Sequence, residues 1–407
     1  MASGITSPNG RNSLNVQDDG NLVQYHDGQP VWASDRFLPA PPPPLPNPVP
    51  GDGLALHLEG RFLYDGAQVY RWNGITAFAL DALIAGGCEA DARAWMLARR
   101  AEGFRAFRVL TMCSWLQLGP RTGLDALNTL LALARELGCA LELVALSDTR
   151  AFGFSPVDCG VQVQNVCTLV STTGYAGQAL VQVANEHYHP THVDWLHDVV
   201  NVDGLAFDDA VTITASAAAN DEALEPDGEY ITRHLDRGRD KWNMVRRVRE
   251  LENVSRETGK YVINDEPMGA GEQESGSRYT DPAIAFTFGV LGRIFEVGST
   301  FHCEAGLRCD PLGPVQQACA TAFMHGATVI PEDLVLTFKN ATWADSPVRA
   351  FDTTACVRVY SGLAGAQGWT CALGLTGDPK IEWQNGWRPV AVAARYPGVD
   401  LYYLERV

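Results

Sequence analysis

The chain has 407 residues, which is enough for two or three domains with a large apolar core. Hydrophobic residues make up 46% and charged residues 19%, as is typical of globular proteins. The net charge of −17 argues against nucleic acid and anionic membrane surfaces as partners, whereas a neutral polysaccharide is compatible with it.

The N-terminus and the cysteines bear on the compartment in which the protein works. The first residues carry no basic region followed by an apolar one, so we expect no secretory signal, and an extracellular or virion-associated location stays open. No apolar run approaches the ~20 residues that cross a bilayer. The ten cysteines lack the dense spacing of a small disulfide scaffold. We therefore expect free thiols, with Cys303–Cys309 and Cys356–Cys371 as alternative pairs.

Residues 1–38 contain a strictly alternating stretch that predicts a strand with one polar face, followed by a hairpin turn at Asp27-Gly28. The alternating residues are Gln17, Asp19, Asn21, Val23 and Tyr25. This pattern resembles the mannose-binding motif of bulb-type lectins. The resemblance implies that the first three hydrogen-bond sugar hydroxyls and that Tyr25 completes the contact. Only one of the three repeats of a lectin domain is present, so a purely structural strand pair is an equal alternative.

A proline-rich segment at 39–52 predicts a semi-rigid linker, after which a new domain begins. Within it, residues 54–70 predict a β-hairpin that closes the bottom of a barrel. Strand and helix patterns then alternate as far as residue 340. The predicted strands are 69–78, 104–110, 140–146, 180–184, 204–214, 229–235, 261–266 and 299–303. The predicted helices are 90–101, 124–137, 161–170, 192–200, 241–257, 282–297 and 316–325.

Eight strands that alternate with helices predict an α/β fold, a (β/α)8 TIM barrel with parallel strands over residues 53–340. The pair that begins with strand 204–214 has no clear helix in this pattern. Beyond 340 the helical patterns stop. Short β-rich runs separated by glycines predict a small antiparallel β domain at 341–407.

Two of the predicted barrel strands end in carboxylates. Leu180 to Ala184 is followed by Asn185-Glu186, and residues 261–263 are followed by Asn264, Asp265 and Glu266. Barrel enzymes keep their chemistry at the C-terminal ends of their strands. Two carboxylates that face each other across the barrel mouth are the arrangement that glycoside hydrolysis needs.

A strand ending in Asn-Glu, followed three strands later by a strand ending in Glu, resembles the superfamily of retaining (β/α)8 glycoside hydrolases. That superfamily includes cellulases, mannanases and β-galactosidases. The resemblance implies cleavage of β-linked oligo- or polysaccharide by double displacement, with Glu186 as acid/base and Glu266 as nucleophile. It also implies that Asn185 holds the sugar 2-hydroxyl and that Arg108 keeps the nucleophile ionised.

The resemblance extends to other residues of the mouth, with departures. His234 matches a family histidine at the end of strand six, but Asp236 stands where the family often has tyrosine. The family usually has a tryptophan at the end of strand eight, and the resemblance implies that His302 or Glu304 takes its place in the floor of the site. Further substrate contacts are expected from His187, beside His189 in a histidine-rich segment, and from Trp72. Strict alternation predicts that Asp265 faces away from Glu266.

We expect no cofactor and no metal, because the histidines after strand four show no clear ligand set. The sequence predicts no particular oligomeric state. The alternative function is a catalytically inactive carbohydrate-binding or adhesion protein on a barrel scaffold. The complete pair of carboxylates favours the enzyme.

Overall fold

The computed structural model describes residues 4–6, 11–16, 22–27, 29–33, 53–186, 192, 212–217, 228–234, 242, 247–265 and 281–407. The chain forms two compact units, Met1–Gly51 and Asp52–Val407. The predicted boundaries of the proline-rich linker at 38 and 52, and of the C-terminal β domain at 340, stay predictions. Among the helices described, none is both long and apolar enough to span a membrane.

The first unit contains an antiparallel sheet in the order β1-β2-β3-β4. Its strands are β1 (Gly4–Thr6), β2 (Asn12–Val16), β3 (Leu22–His26) and β4 (Gln29–Ala33). Tyr25 lies in β3, opposite Ser13, and Asp27 follows β3 at the predicted turn. Gln17, Asp19 and Asn21 lie outside the described residues, so the lectin-like site stays a prediction.

The second unit is built on eight parallel strands, which confirms the predicted barrel. They are β8 (Asn73–Thr76), β9 (Ala106–Leu110), β10 (Ala140–Leu146), β11 (Ala179–Asn185), β12 (Ile213–Ala217), β13 (Tyr230–Arg233), β14 (Tyr261–Asn264) and β15 (Gly298–Phe301). Their order is β12-β11-β10-β9-β8-β15-β14-β13, and every neighbouring pair is parallel. The outermost strands of this order, β12 and β13, contact each other and close the barrel.

Helices follow the strands on the outside of the barrel. The described ones are α1 (Leu80–Ala85), α2 (Glu89–Ala101), α3 (Pro120–Glu136), α4 (Pro156–Thr172), α5 (Val248–Thr258), α6 (Pro282–Phe295), α7 (Glu304–Arg308) and α8 (Pro314–Thr328). Three of them, α3, α4 and α8, begin two to five residues before the predicted start, in each case at a proline. Proline fits the first helical position because the amide there has no intrahelical acceptor. The predicted helix at 192–200 lies outside the described residues except for His192.

An apolar layer fills the bottom of the barrel, at the N-terminal ends of the strands. Its largest members are Trp72, Tyr70, Tyr230 and Tyr261, and each is buried. A three-stranded sheet packs under this layer through Leu56 and Leu63. Its strands are β5 (Leu56–Glu59), β6 (Phe62–Asp65) and β7 (Gln68–Val69). The predicted hairpin therefore closes the barrel bottom, with one short strand more than expected.

The C-terminal part of the second unit consists of antiparallel sheets, as predicted. Its strands are β16 (Thr337–Asn340), β17 (Val348–Ala350), β18 (Arg358–Ala364), β19 (Gln367–Leu373), β20 (Glu382–Trp383), β21 (Trp387–Tyr396) and β22 (Val399–Arg406). Phe295 of α6 packs edge-on against Phe338 and Tyr360, with ring centroids 4.7 and 5.3 Å away. A buried ion-pair cluster of Arg71, Arg293 and Glu296 ties the same region to the barrel.

The cysteines are free thiols, as expected from the sequence. Cys88 is exposed and the other nine are buried. Neither Cys303–Cys309 nor Cys356–Cys371 forms a disulfide.

Candidate active site

Arg108 occupies the centre of the barrel interior, above the apolar layer. It lies on β9 and its side chain is fully buried. Its Nη2 donates to Gln182 Oε1 at 2.8 Å and to Asn185 Oδ1 at 2.7 Å. Its Nε lies 3.1 Å from Asp265 Oδ2 and 3.8 Å from Glu142 Oε2. One guanidinium thus connects strands β10, β11 and the end of β14, a role that its planar set of donors suits.

Glu142 is a buried carboxyl in the middle of β10. The hydroxyl of Tyr230 reaches its Oε1 at 3.4 Å. Burial, followed by the charge of Asp265, raises the pKa of Glu142 to about 8, although Arg108 and His234 act in the opposite direction. At neutral pH this side chain is therefore protonated, and Asp265 is the main counterion of Arg108.

Glu186 lies where β11 ends and the chain turns towards the mouth. Its φ of 43° lies in the left-handed region, which is rare for residues other than glycine and takes the backbone out of the strand direction. The side chain is 25% exposed. Its Oε1 is 2.9 Å from Nδ1 of His234, which follows β13 and is itself buried. The carboxyl group of Glu186 therefore reaches solvent at the barrel mouth, and the buried imidazole of His234 contacts it from the barrel interior.

Asp265 faces the barrel interior, where it contacts Arg108. Glu266 lies outside the described residues, so the prediction that the two carboxylates lie on opposite faces of the strand stays a prediction. Asp265 Oδ2 accepts from Gln182 Nε2 at 3.2 Å, and Asp265 Oδ1 lies 3.1 Å from His234 Nε2. Tyr261 and Ile263 on the same strand also belong to the barrel core. Inward residues alternate along a strand, so Asp265 continues that inward row.

His192 supports the strand end that carries Asn185 and Glu186. Its Nε2 lies 2.6 Å from the carbonyl oxygen of Asn185, and its Nδ1 lies 3.1 Å from Thr149 Oγ1. Arg150 Nε donates to the carbonyl oxygen of His192 at 3.0 Å. The contacts of this histidine are structural, and within the described part of the chain no group of side chains could hold a metal ion.

His302 and Glu304 follow β15 and lie at the mouth, where the resemblance implied that the site lacks the usual tryptophan. His302 is buried, with Nδ1 2.8 Å from Thr76 Oγ1. Glu304 begins α7, which packs closely on β8, since a Cβ on Gly306 would lie 2.1 Å from the carbonyl oxygen of Thr76. Both residues therefore lie beside the end of the first barrel strand.

Two tryptophans, Trp72 and Trp115, differ strongly in their exposure. Trp72 is only 2% exposed, and it lies in the apolar layer at the bottom, with Nε1 donating to Thr300 Oγ1 at 3.0 Å. The expectation that Trp72 contacts substrate is therefore wrong. Trp115, which follows β9, is 42% exposed and has the guanidinium of Arg308 5.3 Å from its ring centroid.

Two expected site residues, Glu266 and His187, lie outside the described residues. The structure thus brings together Arg108, Asn185, Glu186 and His234, and adds Glu142, Gln182 and Asp265, which the sequence analysis had not assigned to the site.

No protein-family model matches the chain, and no curated protein does either. In fold, the chain is similar to a candidate glycoside hydrolase from Bacteroides vulgatus, with a TM-score of 0.59 and 13% identity over 100% of this chain and 94% of that one. It is also similar to a β-glucanase from Saccharophagus degradans in complex with cellotetraose, with a TM-score of 0.50 and 13% identity over 68% of this chain and 94% of that one. The native form of that β-glucanase has a TM-score of 0.51 at 12% identity, with the same coverage. These similarities agree with the barrel architecture.

Proposed function

We propose that the protein is a retaining glycoside hydrolase that cleaves β-linked oligo- or polysaccharide. The observation that carries the proposal is the position of Glu186. It is a partly exposed carboxyl group at the C-terminal end of a barrel strand, with Asn185 beside it and buried Arg108 behind that amide. The fold neighbours support it, because one is described as a candidate glycoside hydrolase and another is a β-glucanase crystallised with cellotetraose.

In this mechanism Glu186 protonates the oxygen of the leaving sugar while Glu266 attacks the anomeric carbon. The covalent glycosyl-enzyme is then hydrolysed, with Glu186 removing a proton from water. The amide of Asn185 can hold the sugar 2-hydroxyl, because its Oδ1 is fixed by Arg108 and its Nδ2 can therefore face the substrate.

Asp265, the residue beside the proposed nucleophile, is an unsuitable nucleophile itself. It is fully buried, and its oxygens already contact Gln182, Arg108 and His234. A nucleophile must reach the anomeric carbon, so this burial favours Glu266, the next residue along the chain.

The test is a set of carboxyl substitutions assayed on polysaccharides and on aryl β-glycosides. We expect Glu266→Gln to have no turnover on any substrate. Glu186→Gln should lose ~10²–10⁴-fold in kcat/KM on substrates with poor leaving groups and far less on activated aryl glycosides. Azide should partly rescue Glu186→Ala on an activated substrate and give a glycosyl azide of retained configuration. Glu89→Gln, an exposed carboxyl at the start of α2, is the matched control and should behave as wild type.

Two outcomes would overturn the proposal. A product of inverted configuration would exclude the double displacement. Saturable oligosaccharide binding without hydrolysis, unchanged in both variants, would instead establish the alternative function of a catalytically inactive carbohydrate-binding barrel.

A further inference from the structure

His234 is held between two carboxyl groups. Its Nδ1 lies 2.9 Å from Glu186 Oε1, and its Nε2 lies 3.1 Å from Asp265 Oδ1. The second contact has the distance of an ion pair without the alignment of a hydrogen bond. The imidazole and Asp265 are buried, whereas Glu186 reaches solvent. One ring therefore connects a buried charge to the acid at the mouth.

The other charged and titratable groups around this pair come from several strands. Among the described residues they include Arg108 of β9, Glu142 of β10 and Tyr230 of β13. Glu142 is neutral at neutral pH, because burial raises its pKa to about 8. Burial also places the pKa of Tyr230 well above its ordinary value. Asp265 therefore supplies the negative charge on the buried side of His234, and Arg108 supplies the positive charge.

We propose that Asp265 is a positioning residue for proton transfer. Its charge keeps a proton on Nε2 of His234, leaves Nδ1 facing Glu186 and raises the proton affinity of the Glu186–His234 pair. This inference rests on the proposed function and names a residue that works behind the acid/base.

The proton movements balance over the two steps. In the first, the Glu186 carboxyl gives its proton to the leaving oxygen and becomes a carboxylate. In the second, that carboxylate takes a proton from the attacking water and is restored. The Nε2 proton of His234 stays in place throughout, beside Asp265.

A neighbouring negative charge favours the protonated form of a group, and a coupled pair titrates as a unit. Removing the charge of Asp265 should therefore let the Glu186–His234 pair lose its proton at lower pH. The alkaline limb of kcat/KM reports this loss, because the acid must be protonated in the first step.

The experiment is Asp265→Asn, which keeps the volume and removes the charge. On a substrate with a poor leaving group, we expect the alkaline limb to move down by about one pH unit or more. Glu89→Gln is the control, because it removes an exposed carboxylate at the start of α2 and leaves the site intact, so its alkaline limb should match that of the wild type. A uniform loss of rate in Asp265→Asn with an unmoved limb would reduce Asp265 to a structural role and overturn the inference.

A second measurement needs neither activity nor the Asp265→Asn variant. Nitrogen-15 NMR of histidine-labelled wild type reports the tautomer of His234, assigned with His234→Gln. We expect Nε2 to remain protonated across the pH range of the profile. A neutral ring with its proton on Nδ1 would overturn the inference even if the protein is a glycosidase. The expected tautomer in a protein without hydrolase activity would instead remove only the proposed function.

Discussion

The two ends of the barrel interior are built from the same strands and have opposite chemistry. At the bottom, inward residues are apolar or aromatic: Ala106, Ala140, Leu180, Tyr230 and Ile263. Two residues further along the same strands, the inward positions are polar: Arg108, Glu142, Gln182, Thr232 and Asp265. The two layers are only two residues apart along each strand, which is about 7 Å.

The two layers therefore have different roles, since the lower one stabilises the fold and the upper one forms the candidate active site. The lower layer stabilises the fold through buried apolar area, and the three-stranded sheet beneath it covers that layer. The upper layer carries the cost of burying charge, which is offset only while each charged group keeps its partner. A barrel uses its C-terminal end for catalysis, so the network around Arg108 lies where a desolvated, ordered set of charges is useful.

The largest expected effect comes from breaking the upper layer at Arg108. We expect Arg108→Met to lower the free energy of unfolding by about 3–5 kcal/mol, because Asp265 loses its buried counterion. The same change should reduce kcat/KM by at least ~100-fold, since Asn185 and the end of β14 lose their common contact. Urea unfolding and steady-state kinetics would measure the two effects.

The matched control is Arg105→Met, one residue before β9. Arg105 is about half exposed and pairs with Glu332 at the surface, so its loss should cost no more than ~1 kcal/mol. Combining Arg108→Met with Asp265→Asn should restore part of the lost stability and none of the activity. Equal effects of the two arginine variants would contradict a buried network.

The second expected effect is a pH dependence of stability that originates in Glu142. Its pKa is raised from 4.5 to about 8 in the folded protein, so between these values the folded state binds the extra proton and the unfolded state does not. The contribution of Glu142 to the free energy of unfolding is therefore fully present below about pH 4.5, and it is lost as the pH rises to about 8. The expected loss is on the order of a few kcal/mol.

The Glu142→Gln variant tests this pH dependence, because glutamine remains neutral. The difference in unfolding free energy between variant and wild type should grow in favour of the variant from pH 5 to 8. Glu136→Gln is the control, because Glu136 is exposed and its hydrogen bond with Arg93 lowers its pKa instead of raising it. A constant difference between Glu142→Gln and wild type would show that Glu142 does not titrate in this range.

The sequence predicted much of this architecture, because strand and helix periods alternate clearly. Asn185 and Glu186 were placed at the mouth because they end an apolar strand, and in a parallel barrel such ends meet. Arg108 and His234 were assigned to the same site by the family resemblance. Trp72 was misplaced because it precedes its strand, which puts it at the bottom.

Asp265 could not be oriented from local pattern. Its strand is buried on both faces, so Tyr-Val-Ile-Asn shows no alternation that distinguishes inside from outside. Glu142 and Gln182 did leave a signal, because each is a polar residue with apolar neighbours on both sides in the middle of a buried strand. A polar side chain in a buried strand needs a hydrogen-bonding or charged partner, and here Arg108 contacts both residues.

Two threonines occupy matched positions in the two layers, and we expect their substitution to have the smallest effects. Thr76 Oγ1 contacts His302 at the mouth, and Thr300 Oγ1 accepts from Trp72 at the bottom. Both threonines are fully buried, and each contacts one aromatic ring. Replacing either by valine keeps the shape and removes one hydrogen bond, so each should cost about 1 kcal/mol of stability.

The two valine variants should differ in catalysis. Thr76→Val removes one hydrogen bond to the ring of His302 beside the cleft, and we expect a several-fold rise in KM with a smaller change in kcat. Thr300→Val should leave both constants at the wild-type values, because Trp72 lies under the polar layer and away from substrate. Parallel chemical denaturation and kinetics on one substrate would measure all four quantities. If Thr300→Val changed KM as much as Thr76→Val, the bottom layer would be coupled to the mouth, and the division between a stabilising layer and a catalytic layer would fail.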